Sequence, residues 1–178
     1  MTDKRTGLIH IYCGDGKGKT TAAMGLCCRA AGAGLRVVIC QFMKPNTSSE
    51  RAVLAPLPNV TFLDGLAEEK FSFQLSPAER EERKIFYTDL LEKTAQTARA
   101  QNADVVLLDE VLYAVGAGLL EERSVLKFLD SREPSLEVIL TGRDPGDAIA
   151  GRADYISEIR KVRHPYDEGI PARDGIER

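Results

Sequence analysis

Apolar residues along this chain gather in short runs of strand length, and helical patterns separate the runs. Runs that are apolar at consecutive positions are typical of strands buried on both faces of a parallel sheet. Strands are predicted at residues 8–13, 36–42, 59–63, 104–110 and 136–141, and residues 155–162 form a weaker, imperfectly spaced candidate. The pattern therefore predicts an α/β protein in three layers, with helices on both faces of a mostly parallel sheet.

Three helices are predicted between these strands. Residues 19–33 are rich in alanine and end at Gly32 and Gly34, which are stop signals. A long helix begins at Ser76, where a capping box with Glu79 and a proline at the first helical position precede an apolar stripe that runs to residue 102. The third helix covers residues 121–129. Residues 44–58 and 66–75 are predicted to be loops, and residues 164–178 an irregular tail.

The segment from Gly14 to Thr20 follows the first strand and opens the first helix. Glycines let the backbone curl so that its N–H groups point at an anion, and the helix N-terminus adds its positive end. Lys19 supplies a charge for phosphate oxygens, and Thr20 a hydroxyl for Mg²⁺. The first glycine of the general phosphate-binding pattern falls at Cys13, so this is a variant P-loop. The alternative is a chance glycine-rich turn.

Acidic and basic residues close two other predicted strands. Asp109 and Glu110 end an apolar strand at the carboxyl edge, where ligands bind in open α/β sheets, and one of them could hold Mg²⁺. Alone, such a strand often merely precedes a helix. Arg143 follows residues 136–141 at the same edge. It would either reach a phosphate or sit solvated in a helix-capping turn, and the sequence leaves both open.

Residues 14–23 resemble the G-[ND]-G-K-G-K-T-T-A-A loop of ATP:cob(I)alamin (corrinoid) adenosyltransferases, a family that also lacks the first P-loop glycine. The resemblance spans nearly the whole chain. Four further segments agree with that family in order: residues 41–44 (QFMK), 107–110 (LLDE), 141–143 (TGR), and 164–170 with 175–177 (HPYDEGI and GIE).

The resemblance implies a RecA-like P-loop domain that transfers the 5′-deoxyadenosyl group of ATP to the cobalt of a reduced corrinoid and releases triphosphate. It implies that ATP lies reversed relative to hydrolysing P-loop enzymes, so that positioning and charge stabilisation suffice without a general base. The catalytic residues implied are Lys17, Lys19, Thr20 and Glu110. The ATP ligands implied are Gly14, Asp15, Gly16, Lys17, Gly18, Lys19, Thr20, Thr21 and Arg143. The Mg²⁺ ligands implied are Thr20 and Glu110, with Asp109 in support.

The family also uses an F-x-W aromatic pair to remove the lower cobalt ligand, and Phe71 and Phe73 match it with Phe in place of Trp. The alternative is that both rings simply pin a loop to the core. This chain departs from the family pattern in two places, and both concern the corrinoid side of the site. Few residues precede the first strand, and Pro45 follows Lys44 where the family commonly has Gly.

Length, charge and cysteine content narrow the class of protein further. The 178 residues suit one domain, and 24 basic against 27 acidic residues give a net charge of −3, which argues against a general nucleic-acid binder. No apolar run approaches the roughly 20 residues that cross a bilayer, and the polar start lacks a signal segment, so a cytosolic location is the default. The four cysteines lack zinc-site spacing and are expected to be buried fillers kept reduced.

Partners and rival functions are expectations from the sequence alone. The resemblance implies a homodimer and a reduced flavoprotein as electron donor. One rival function is a P-loop phosphotransferase or ATPase that acts on the terminal phosphate, for which no water-positioning residue is evident. The other is a nucleotide-sensing module without catalysis.

Overall fold

The computed structural model describes residues 6–67, 70 and 72–177, and its centre is a six-stranded sheet. Every neighbouring pair of strands is parallel, in the order β3-β2-β4-β5-β1-β6. The predicted strands and the α/β class are confirmed, although the sixth strand ends at Glu158 rather than at residue 162. The strands are β1 (Ile9–Cys13), β2 (Val37–Gln41), β3 (Val60–Leu63), β4 (Val105–Asp109), β5 (Glu137–Thr141) and β6 (Tyr155–Glu158).

The three predicted helices are present, and the structure adds three short ones. The prediction of a loop over residues 44–58 is wrong in part, because a six-residue helix lies within it. Residues 66–75 and the tail each contain a 3₁₀ turn, Ser72–Gln74 and Pro165–Glu168. The helices are α1 (Lys19–Gly32), α2 (Ser49–Leu54), α3 (Pro77–Ala100), α4 (Val111–Gly116), α5 (Glu122–Asp130) and α6 (Asp147–Ala150).

The capping box at the start of α3 is confirmed. Ser76 Oγ accepts a hydrogen bond from the Glu79 backbone N–H at 3.3 Å, and Glu79 Oε2 accepts one from the Ser76 N–H at 2.8 Å. Pro77 occupies the first helical position, where its missing N–H costs nothing. Two otherwise unpaired backbone donors are thereby satisfied, which fixes the start of the longest described helix.

Apolar clusters cover the two faces of the sheet, which gives the three predicted layers. One cluster joins the sheet to α1 and to Leu54 of α2, and the other joins it to α3, α4, α5 and α6. All residues of β2 and β4 are buried, which explains why each strand is apolar up to its last residue, Gln41 or Asp109. Within the described residues, no helix has the length and apolar character needed to span a membrane.

The cysteine prediction is wrong for one of the four residues. Cys13, Cys27 and Cys40 are buried free thiols, but Cys28 is exposed. Neighbouring positions on α1 point about 100° apart, so only one of two adjacent cysteines can face the sheet.

Candidate active site

Glycines allow the loop between β1 and α1 to pass close under the chain that follows β6. Gly14 has φ of 102°, and a Cβ there would lie 2.4 Å from the Ile159 carbonyl oxygen. Gly18, with φ of 119°, caps α1 in a conformation that other residues rarely adopt. The first N–H groups of α1 lack acceptors within the helix, so they are available to an anion at this edge of the sheet.

Lys19 lies at the mouth of this loop. Its Nζ donates to the Gly16 carbonyl oxygen at 2.8 Å. Burial lowers the pKa of Lys19, and the nearby Glu110 carboxylate opposes that effect. Among the described residues, the hydrogen bond of this half-buried ammonium goes to a neutral carbonyl, so an anionic partner such as a phosphate would stabilise it here.

Asp109, at the end of β4, is the centre of a buried polar network. Its side chain is fully buried, and its Oδ1 accepts hydrogen bonds from Thr20 Oγ1 at 2.9 Å and from Thr141 Oγ1 at 2.7 Å. Its Oδ2 accepts from Gln41 Nε2 at 3.2 Å and from Lys44 Nζ at 2.7 Å. The carboxylate therefore joins the start of α1 to the ends of β2, β4 and β5.

The order of the strands explains how this network forms. β5 lies between β1 and β4, so Thr141 stands at the carboxyl edge between the phosphate loop and Asp109. Thr141 Oγ1 donates to Asp109 and accepts the Glu110 backbone N–H at 2.7 Å. Both hydrogen-bonding functions of this buried hydroxyl are used, so it fixes the two acidic residues relative to each other.

Glu110 has an unusual backbone conformation. Its φ of 60° and ψ of 15° place it in the left-handed region, which is rare for a residue other than glycine and is often found at functional sites. Burial and, less strongly, the Asp109 charge raise its pKa, while Lys44 and Lys19 oppose the rise. Among the described residues no side chain or backbone group hydrogen bonds to its carboxylate, which leaves that group available for a ligand.

Lys44 completes the network and was given no role from the sequence. Its Nζ donates to Thr20 Oγ1 at 2.6 Å and to Asp109 Oδ2 at 2.7 Å. Only 26% of the side chain is exposed, against 0% for Asp109. The ammonium therefore contacts two of the three residues that the resemblance assigned to Mg²⁺, Thr20 and Asp109.

The chain that follows β6, together with the C-terminal tail, lies against the other side of the phosphate loop. The Gly16 N–H donates to the Ile159 carbonyl at 2.8 Å, and the Lys161 N–H donates to Asp15 Oδ1 at 2.9 Å. That hydrogen bond from Lys161 is the leading cause of a lowered Asp15 pKa. A cavity of about 270 Å³ lies between the loop and the tail, and its lining includes Asp15, Gly16, Lys17, Lys19, His164, Tyr166, Ile170 and Glu177.

Several predicted site residues lie near the network without joining it. Thr21 and Arg143 are exposed, and Lys17 Nζ is 3.8 Å from a Glu177 carboxylate oxygen of the tail. A larger cavity, about 380 Å³, lies at the opposite edge of the sheet around Arg36 and Arg132, far along the strands from these residues.

The aromatic pair is only partly described. Phe71 lies outside the described residues. Phe73 is 80% exposed, so the alternative that this ring pins a loop to the core is wrong. Two contacts hold the 3₁₀ turn that contains Phe73. Arg80 donates to the Ser72 carbonyl at 3.0 Å, and Ser72 Oγ lies 3.4 Å from the Tyr113 hydroxyl of α4. The turn therefore stands beside the helix that begins directly after Glu110.

Sequence reasoning missed the roles of Gln41, Lys44 and Thr141, although all three belong to segments that carried the resemblance. The available signal was their position: polar residues that end or follow otherwise apolar strands at the carboxyl edge. No group of three or more His, Cys, Asp or Glu residues suited to a metal occurs in the part of the chain that the structure describes. A metal here would need ligands from a bound nucleotide as well.

Comparison with known structures supports the fold. A KaiC-like protein from Pyrococcus horikoshii OT3 matches with a TM-score of 0.55 at 19% sequence identity, over 87% of this chain and 73% of that one. At this identity the likeness concerns the fold alone.

Comparison of sequences identifies the family. The profile of the ATP:corrinoid adenosyltransferase BtuR/CobO/CobP family matches residues 5–178. A corrinoid adenosyltransferase of Escherichia coli strain K12 is 34% identical over 176 residues, which cover 96% of this chain and 85% of the relative. The corrinoid adenosyltransferase CobA of Salmonella typhimurium strain LT2 is 34% identical over 182 residues, covering 99% and 88%. This chain is a member of the ATP:corrinoid adenosyltransferase BtuR/CobO/CobP family.

Proposed function

We propose that this chain transfers the 5′-deoxyadenosyl group of ATP to the cobalt of a reduced corrinoid and releases triphosphate. The observation that supports this most directly is the assembly of Lys19, Thr20 and Asp109 in one phosphate-binding edge of a chain that belongs to this family. We also propose that one domain carries the activity, because the strands that end at this edge belong to a single six-stranded sheet.

The reaction asks the protein for binding and charge stabilisation rather than for proton transfer. The cobalt(I) electron pair forms the bond to C5′, the C5′–O bond breaks, and the triphosphate leaves with that bond's electrons. The leaving group is highly anionic. The amides at the start of α1 and the ammonium groups of Lys17 and Lys19 would hold it, while Gly14, Asp15, Gly16 and Gly18 shape the loop. Thr21 and Arg143, exposed at the same edge, would contact the outer phosphates.

The donor set also suits Mg²⁺. Thr20 offers a hydroxyl, and Asp109 and Glu110 offer carboxylates; hard oxygen ligands of this kind, completed by phosphate oxygens, are what Mg²⁺ prefers. When bound, the ion would neutralise charge that develops on the triphosphate. Glu110, whose carboxylate lacks a hydrogen-bond partner among the described residues, is the ligand least committed to other contacts, and Asp109 orients Thr20.

Phe71 and Phe73 would present an apolar surface to the corrinoid. The 80% exposure of Phe73 beside α4 is consistent with a ring held ready for a ligand rather than for the core. An apolar ring at the lower cobalt face would exclude a nitrogen ligand, which makes the metal easier to reduce.

Three further proposals concern the assembly, the electron donor and the location of the chain. The family suggests that the chain acts as a homodimer and that a reduced flavoprotein supplies the electron for cobalt(I). We also propose that the protein acts in the cytoplasm, where its four cysteines would stay reduced.

The direct test is anaerobic incubation with ATP, Mg²⁺ and chemically reduced cobalamin while the corrin absorption is followed. Wild-type protein should form the adenosylated product, and Lys19→Ala should lose at least roughly 100-fold in rate because the phosphate chain loses its inner cation. Lys93→Ala, on the exposed face of α3, is the matched control and should keep the wild-type rate. Full activity in Lys19→Ala would refute the assigned cradle.

A further inference from the structure

Lys44 contacts two of the side chains that are proposed to hold Mg²⁺. Its ammonium contacts Thr20 Oγ1 at 2.6 Å and Asp109 Oδ2 at 2.7 Å. Thr20 Oγ1 uses its own proton toward Asp109 Oδ1, so Lys44 takes up a lone pair of that hydroxyl that a metal would need. Mg²⁺ approaches its oxygen ligands to about 2.1 Å, so an ion and this ammonium cannot both contact the same pair of oxygens.

The loop after β2 holds Lys44 in this position. Met43 has φ of 53°, a left-handed conformation that turns the chain back toward the sheet edge. Asn46 then joins this loop to Gly65: its Nδ2 donates to the Gly65 carbonyl at 3.1 Å, and its Oδ1 accepts the Gly65 N–H at 2.8 Å. Ser48 Oγ donates to Gln41 Oε1 at 3.0 Å, which ties the loop to another hydrogen-bond partner of Asp109. Such a set of contacts indicates an organised position rather than a chance approach of a surface lysine.

The charges explain why a cation is needed there. Asp109 is fully buried, and an ionised carboxylate in such a position needs a charged or strongly hydrogen-bonding partner. Glu110 adds a second carboxylate beside it, and Lys19 is turned toward Gly16. Among the described residues, Lys44 is the cation in direct contact with the Asp109 carboxylate.

We propose that Lys44 is a built-in counter-cation that occupies the divalent-metal position in the nucleotide-free protein and yields it when the metal arrives with ATP. This inference deepens the proposed function, because it rests on Thr20, Asp109 and Glu110 as the metal site. The phosphates would then give the displaced ammonium a new anionic partner. Metal alone offers no such partner, so metal and nucleotide should bind cooperatively.

The test measures Mn²⁺ binding, with the metal alone as the probe, by the loss of the free-ion electron paramagnetic resonance signal. Wild-type protein should bind Mn²⁺ weakly without nucleotide. Lys44→Met, which removes the ammonium and keeps an unbranched apolar side chain one atom shorter, should bind it at least roughly tenfold more tightly, since it no longer has an ammonium to displace. Lys44→Arg, which keeps a cation, should behave like the wild type. Equal Mn²⁺ affinity in wild type and Lys44→Met, or a gain in Lys44→Arg as large as in Lys44→Met, would overturn the proposal.

A second readout separates this role from a purely structural one. Loss of the lysine should lower the thermal unfolding midpoint, and Mn²⁺ should restore it in Lys44→Met while leaving the wild-type midpoint unchanged. Lys44→Gln, which keeps a polar group, gives the same test if the methionine variant does not fold. A midpoint that Mn²⁺ does not restore in a folded variant would contradict the proposal. Because these experiments contain no corrinoid, their outcome is independent of whether the chain transfers an adenosyl group.

Discussion

Asp109 is the residue whose replacement tests the polar network most sharply. Its carboxylate accepts hydrogen bonds from Thr20, Thr141, Gln41 and Lys44, and none of it is exposed to solvent. Asp109→Ala removes all of these acceptors, whereas Asp109→Asn keeps the shape and one acceptor oxygen, removes the charge and turns the other oxygen into a donating amide nitrogen. The two substitutions therefore compare loss of the whole carboxylate with loss of its charge and one acceptor.

The cost of each substitution follows from the burial of the partners. In Asp109→Ala, Gln41 and Thr141 keep buried donors without an acceptor, at 1% and 0% exposure, and each orphaned group costs about 1–3 kcal/mol. Lys44 is partly exposed and can rehydrate, so we expect a total loss of about 4 kcal/mol. In Asp109→Asn, the amide oxygen can still accept from Gln41 and Lys44, but the amide nitrogen cannot accept the threonine hydroxyl protons. The expected loss of about 2 kcal/mol then combines a weakened bond to Lys44 with the buried Thr141 hydroxyl proton that has no acceptor.

Urea unfolding at pH 7 without nucleotide measures both losses. At an m-value of about 3 kcal/mol/M, a loss of about 4 kcal/mol lowers the midpoint by roughly 1.3 M. Asp130→Ala is the control: this carboxylate pairs with Arg152 on the surface, its side chain is 55% exposed, and its removal should leave the urea midpoint close to that of the wild type. A loss below about 1 kcal/mol in Asp109→Ala, or equal losses in the alanine and asparagine variants, would refute the reasoning.

Three other predictions concern Glu110, Glu79 and Phe73. Because burial raises the pKa of Glu110, the folded protein favours the protonated carboxyl, and stability is lost as pH rises through that pKa. Glu110→Gln should therefore be more stable than wild type at pH 7 without nucleotide, and urea midpoints across pH 4–8 check this. The Lys70 ammonium and then the Ser76 N–H lower the pKa of Glu79 to about 2. Wild type should therefore be more stable than Glu79→Gln above pH 4.5, and this difference in stability should vanish as pH falls toward 2. A difference in stability that is independent of pH would contradict the prediction. Phe73→Ala should leave the unfolding midpoint unchanged, since the ring is exposed, but slow an assay started from cobalt(II) more than one started from cobalt(I); equal losses would argue against ligand removal.

The sheet was predictable because short runs of consecutive apolar residues, bounded by turn residues, are typical of strands buried on both faces. β2 and β4 are buried at every position, and both were located to within a residue at each end. The short helices were missed for a physical reason: α2, α4 and α6 have six, six and four residues, too few turns for a helical repeat to emerge. Their positions depend on tertiary packing.

The candidate site was predictable in outline and not in its contacts. The phosphate loop could be predicted from local residues. The spacing of its glycines indicates a curled loop, and Gly14 and Gly18 have the positive φ that such a loop requires. The meeting of Lys44 with Thr20 and Asp109 depends on the lateral order of the strands, which an apolar pattern does not encode. Thr20 and Glu110 were expected to be the main Mg²⁺ ligands, with Asp109 in support, and that assignment stays a prediction. The structure adds that Thr20 contacts Asp109 directly.

The central claim is that the site presents the ribose carbon of ATP for attack rather than its terminal phosphorus. Phosphorus-31 magnetic resonance of an anaerobic reaction with reduced cobalamin tests it most directly. The claim predicts one inorganic triphosphate for each adenosylated corrinoid and no turnover of ATP without the corrinoid. Formation of ADP and orthophosphate at a rate that is independent of the corrinoid would contradict it.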